Sequence, residues 1–133
     1  MLDRKTSILS VAVVPVLVAG SLLVGAPALA AGGEVVLRTG SCRQAADWKT
    51  KAKADNGRIE FQGEVDSNRT GQTWRWRIRH NGELAARGTG TTTGRSGSFD
   101  ISRRLPDAAG TDLFVFRAVN PATGEVCRGE LAF

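Results

Sequence analysis

The chain has 133 residues and a formal net charge of +5, with 18 lysines and arginines against 13 aspartates and glutamates. So mild an excess, with acids scattered throughout, excludes a dedicated nucleic-acid binder. One histidine and two cysteines leave too few groups for zinc once the thiols are oxidised, and too few for ordinary acid–base or nucleophilic catalysis, so neither enzyme activity nor a cofactor is expected.

Residues 1–30 read as a signal peptide. Arg4 and Lys5 precede an apolar run from Ile8 to Val24, and Ala28-Leu29-Ala30 supplies the small-x-small pattern of a cleavage site, placing the cut after Ala30. Pro15 and Gly20 within the run argue against an uncleaved anchor. The expected product is a secreted, extracellular protein with no membrane span after cleavage, associated with the cell envelope if it has a partner there. It keeps 103 residues, 133 less 30, enough for one domain. Its charge is +4, because Arg4 and Lys5 leave with Asp3.

Residues 31–45 form an N-terminal segment in which Glu34 to Cys42 reads as an edge strand, and residues 46–133 read as a β-sandwich domain. Period-two alternation recurs there, and no stretch keeps a helical period for three turns. Ala46 to Asp55 and Arg58 to Asp66 flank Asn56-Gly57, a strong two-residue turn signal. That turn sets Asp55 opposite Arg58, Lys53 opposite Glu60, Lys51 opposite Gln62, Lys49 opposite Glu64, Ala52 opposite Phe61 and Trp48 opposite Val65. Only Asp47 with Asp66 is uncomplementary. The lysine ladder thus has a structural explanation and needs no anionic partner.

The loop Asp66 to Gly71, DSNRTG, opens like a calcium loop, but its twelfth position is Arg77 where a bidentate glutamate belongs, so it reads as an Asx-type turn. The sequon Asn68-Arg69-Thr70 within it is read as incidental. Next comes the strand Gln72 to Arg79, carrying TWRWRIR. A three-residue loop, His80-Asn81-Gly82, is expected to pair Arg79 with Glu83, Ile78 with Leu84 and Trp76 with Ala86, keeping Arg87 off the buried face. Gly88 to Ser98 reads as a mobile connector, too poor in apolar groups to pack. Strands resume at Ser98 to Leu105, Asp112 to Asn120 and Glu125 to Phe133, with Pro106 to Gly110 as a crossover.

From Ala46 this makes seven strands, the sandwich expectation for about 100 residues. Cys42 and Cys127, in an oxidising compartment, are expected to form a disulfide that contributes about 4 kcal/mol in the chain-entropy account.

GTDLFVFRAVNPATGE, Gly110 to Glu125, resembles the F strand and F–G turn of fibronectin type III domains. WRIRHNGEL, Trp76 to Leu84, is similar to the C–C′ hairpin of immunoglobulin-like domains. The chain departs from these in having no tyrosine corner and in placing its cysteines off strands B and F. The signal peptide, DSNRTGQTWRWRIRHNG and NPATGEVCRGE together also resemble small secreted proteins of high-GC Gram-positive, actinobacterial organisms, a group with no attached function. These resemblances imply an immunoglobulin-like sandwich and imply no activity.

In such a sandwich the loop Asp66 to Thr73 crosses between sheets, so Trp74, Trp76 and Ile78 face the core and Arg75, Arg77 and Arg79 face solvent. With Phe114, Phe116 and Ala118 inward, Val115, Arg117 and Val119 join the same outer face, and Arg87 adds to it from the next strand. This basic face is the candidate binding surface, for an anionic envelope polymer or a protein partner. The alternative is an accessory or structural exoprotein with no specific ligand, whose arginine stems merely cover neighbouring valines.

Overall fold

The computed structural model describes residues 33 to 133, so the signal sequence and its cleavage site lie outside the described residues. Eight strands follow in chain order: β1 (Val35–Ser41), β2 (Asp47–Asp55), β3 (Arg58–Asp66), β4 (Thr73–His80), β5 (Glu83–Thr91), β6 (Ser98–Pro106), β7 (Leu113–Val119) and β8 (Val126–Ala132). They form two four-stranded sheets, ordered β1-β2-β3-β6 and β5-β4-β7-β8, antiparallel at every pairing. The protein is an all-β sandwich, and β1 is the expected edge strand.

Strand alternation builds the core. Ile59, Phe61 and Val65 of β3 face Trp74, Trp76 and Ile78 of β4 and Phe114, Phe116 and Ala118 of β7, all of them buried. Phe61 stacks on Phe114 across the gap, ring centroids 4.9 Å apart. Full burial of such side chains is worth roughly 1.5–3 kcal/mol each. The three tryptophans are therefore structural. Trp74 and Trp76 are enclosed, and half-buried Trp48 lies against Gly40 of β1 and Gly129 of β8, where any Cβ would fall within 2.5 Å of the indole.

The β2–β3 hairpin has the register its turn dictates, from Asp55↔Arg58 to Asp47↔Asp66. Asn56 and Gly57 both take positive φ, 49° and 76°, as a type I′ turn requires. Lys49 pairs with Glu64 at 3.7 Å and Lys53 with Glu60 at 3.5 Å. Asp55 finds its cation one strand further on, Arg104 of β6 at 3.0 Å, while Arg58 donates to the Arg104 carbonyl.

The second hairpin differs from expectation. Asn81 and Gly82, φ 49° and 84°, make a two-residue turn that pairs His80 with Glu83 and Arg79 with Leu84; Ala85 is then bulged out, and pairing resumes at Ile78↔Ala86 and Arg77↔Arg87. The bulge gives the outcome sought from a longer loop, since it returns Arg87 to the outer face and sets Gly88 opposite Trp76. The supposed connector is also corrected. β5 continues to Thr91, Thr92 is fully buried, and Gly88 and Gly90 lie so close to the Trp76 and Phe99 rings that a Cβ would overlap them. Glycine here marks ring packing, not mobility.

Two ties fix the sheets to each other and to their loops. Cys42, just after β1, is bonded to Cys127 of β8, so the disulfide bridges the two sheets across 85 residues of chain. Buried Glu125 accepts the backbone N–H groups of Gln44 at 2.5 Å and Ala45 at 3.1 Å, holding the β1–β2 loop onto the β7–β8 turn.

Candidate functional site: the arginine face

The β3–β4 loop does cross between sheets, so the arginines of β4 stand away from Glu60 and Glu64. Inward burial of Trp74, Trp76 and Ile78 turns Arg75, Arg77 and Arg79 outward; burial of Phe114, Phe116 and Ala118 does the same for Val115, Arg117 and Val119. Arg87 reaches this face from β5 through the bulge. All the residues expected on the face are brought together there.

The register adds one that sequence reasoning missed. Arg87 is directly opposite Arg77, Arg77 opposite Arg117, and Arg117 opposite Arg128. Every strand of the sheet thus contributes one arginine to a single row across the strands. Neighbouring strands lie about 4.7–4.9 Å apart, so the row runs roughly 14 Å. Arg128 was within reach of the sequence: extending the β7–β8 hairpin outward from its turn sets it against Arg117.

Like charges directly opposite one another destabilise a sheet, and little on this face offsets them. The four strands hold six arginines against two glutamates, Glu83 and Glu130. Arg128 is paired with Glu130 at 3.2 Å, and Arg79 donates to the Gly82 carbonyl at 3.1 Å. Among the described residues, Arg75, Arg77, Arg87 and Arg117 form no ion pair. Arg75, Arg77, Arg79, Arg87 and Arg117 line a shallow groove of about 760 Å³ whose apolar floor includes Leu84, Val119 and Pro121. Arg43 stands near the β8 end of the row, its N–H on the Val126 carbonyl and its side chain lining a small depression with Arg117 and Arg128.

The Asp66–Gly71 loop spends its oxygens on itself and on the loop before β6. Asp66 Oδ1 accepts the Asn68 N–H, Ser67 Oγ donates to the Arg69 and Gly97 carbonyls, and Thr70 Oγ1 donates to the Gly94 carbonyl. It is the Asx-type turn expected.

His80 does more than turn the chain. At the end of β4 its Nε2 lies 2.5 Å from Oδ1 of Asp112, a carboxylate that is almost wholly buried and also accepts the Ala108 N–H. The ring stacks on Phe114 with centroids 4.5 Å apart. Burial pushes the Asp112 carboxyl up, but the His80 and Ala108 hydrogen bonds, the Asp107 hydrogen bond and the His80 charge together hold it below the usual carboxylate range. Asp107, at the surface, is raised by its hydrogen bond to Asp112. The pair orients an imidazole as a general base would require, yet among the described residues no hydroxyl is hydrogen-bonded to the other ring nitrogen. With Asn81, whose side chain accepts the Leu113 N–H at 2.8 Å, it locks the β4–β5 turn to the start of β7.

Protein-family models, curated proteins and solved structures give no match to this chain.

Proposed function

We propose that the protein is an exported module of the immunoglobulin-like type that binds an anionic envelope component through the outer face of β5-β4-β7-β8. The observation that carries this reading is the uncompensated charge: among the described residues four arginines of one face have no acidic partner, although the opposite sheet pairs Lys49 and Lys53 with glutamates. A disulfide in the fold suits an oxidising, extracellular-type environment, in keeping with the leader-like residues 1–30. The strand order, with β4, β5, β7 and β8 in one sheet, supports the immunoglobulin-like comparison.

Arginine suits the task because its planar fork meets phosphate and carboxylate oxygens two at a time and never loses its charge. The test is retention on isolated cell envelope. Replacing Arg75, Arg77 and Arg79 with glutamine abolishes retention and leaves the melting temperature within a few degrees of the parent; equal retention of variant and parent rejects the reading.

A further inference from the structure

The arginine row carries the reading of a binding face further, to the geometry and chemistry of the ligand, and this inference rests on that reading. We propose that the face binds a linear polymer with phosphodiesters in its main chain and no bases, of the polyol phosphate kind, laid across the strands along Arg87, Arg77, Arg117 and Arg128.

Three observations converge. The first is direction: four guanidinium-bearing positions are in register, one per strand, so the line of positive charge crosses the sheet rather than following a strand. The second is width. On one side the flanking positions are Thr89, Arg75, Val119 and Val126, and on the other Leu84, Arg79, Val115 and Glu130. Each flank holds one arginine, and Arg79 is already bonded to the Gly82 carbonyl. A track one arginine wide, with apolar side chains at four of its eight flanking positions, matches a chain whose charges lie in its backbone and whose spacers are short and aliphatic. A polycarboxylate carries its charges on side groups splayed from the chain and would call for a broader field. The third is what the face lacks. Nucleic-acid bases need aromatic platforms, and Trp74 and Trp76 are sealed in the core, so a single-stranded nucleic acid could place its phosphates but not its bases.

The row also gives the ligand a minimum length. A free phosphate ester meets one or two guanidinium groups, whereas a chain spanning about 14 Å meets all four, so affinity should climb with length until the row is covered. Each phosphate contact releases counterions, which makes the slope of log affinity against log salt a count of the arginines engaged.

The experiment measures binding of residues 31–133, which hold the whole sandwich, to poly(glycerol phosphate) of graded length, with glycerol phosphate, poly-glutamate and oligothymidylate of matched charge as competing arms. Two variants lose the same formal charge: R77Q/R117Q in the row and R75Q/R79Q beside it. Circular dichroism and the melting temperature establish that both are folded. The expected result is length-dependent binding of the phosphate polymer, weaker binding of the other arms, a loss of about tenfold or more for R77Q/R117Q with a salt slope lower by about two, and a loss under about threefold for R75Q/R79Q. Equal losses in the two variants overturn the row. Equal binding of poly-glutamate or oligothymidylate overturns the base-free phosphodiester. Failure to bind any polyphosphodiester, with envelope retention still dependent on Arg75, Arg77 and Arg79, overturns this inference and leaves the binding-face reading standing; loss of that dependence removes both.

Discussion

The two sheets of this sandwich treat surface charge in opposite ways. The strands of β1-β2-β3-β6 carry seven cationic side chains against six acids, and three pairs use them: Lys49 with Glu64 and Lys53 with Glu60 on adjacent strands, and Arg104 with Asp55 across β3. The strands of β5-β4-β7-β8 carry six arginines against two glutamates and set four of the arginines opposite one another. The residue choice differs as well. All three lysines beyond residue 30 are on β2, and the second sheet has only arginine. A sheet built for its own stability would look like the first on both sides; the second leaves like charges directly opposite one another, at some cost in stability, as the proposed binding face would require.

The largest effect expected from breaking this contrast is at the buried end of the arginine sheet, where His80 of β4 meets Asp112 just ahead of β7. Asp112→Asn removes a buried carboxylate that holds His80 and the Ala108 N–H, and should cost about 2 kcal/mol at neutral pH. The sign with pH follows from the direction of the Asp112 shift. A carboxyl held lower in the folded than in the unfolded chain contributes stability that is fully present above its ordinary range and is lost as pH falls through its folded value. Urea unfolding from neutral to acidic pH should therefore show a decline in the parent that is smaller in D112N by the Asp112 share. An unchanged pH profile would leave the His80 lock without energetic content.

A smaller effect distinguishes the faces directly. Arg117→Gln takes one charge from the middle of the row and should raise stability at low salt by a few tenths of a kcal/mol; Glu60→Gln strips Lys53 of its partner and should lower it by a similar amount. Both differences should shrink as salt screens them. Thermal melts at low and high ionic strength check this, and same-sign effects at both sites would erase the contrast.

Much of this architecture was legible because turn chemistry and period-two patterning act locally. Asn56-Gly57 alone fixed seven cross-strand pairs, and alternation through β4 and β7 assigned every core aromatic there to its face. What escaped depended on tertiary partners. The Ala85 bulge follows from seating Trp76 over Gly88, which no turn rule contains. The glycine-threonine tail of β5 reads as a flexible connector because composition counts glycines and does not register that Trp76 and Phe99 press on them. His80 ends β4 and Asp112 precedes β7, 32 residues apart, and only the closed sandwich brings them together. The arginine face itself was legible in five of its arginines; the row that orders them needed the register of three strand pairs and the addition of Arg128.

Whether envelope retention depends on position on the arginine face or on bulk charge is decided by a charge-matched comparison. One variant replaces Arg75, Arg77 and Arg117 with glutamine, and the other replaces Lys49, Lys51 and Lys53, so both lose three positive charges from the same fold. The arginine variant should wash off while the lysine variant is retained like the parent; equal loss from both would show that bulk charge, and not the arginine face, holds the protein there.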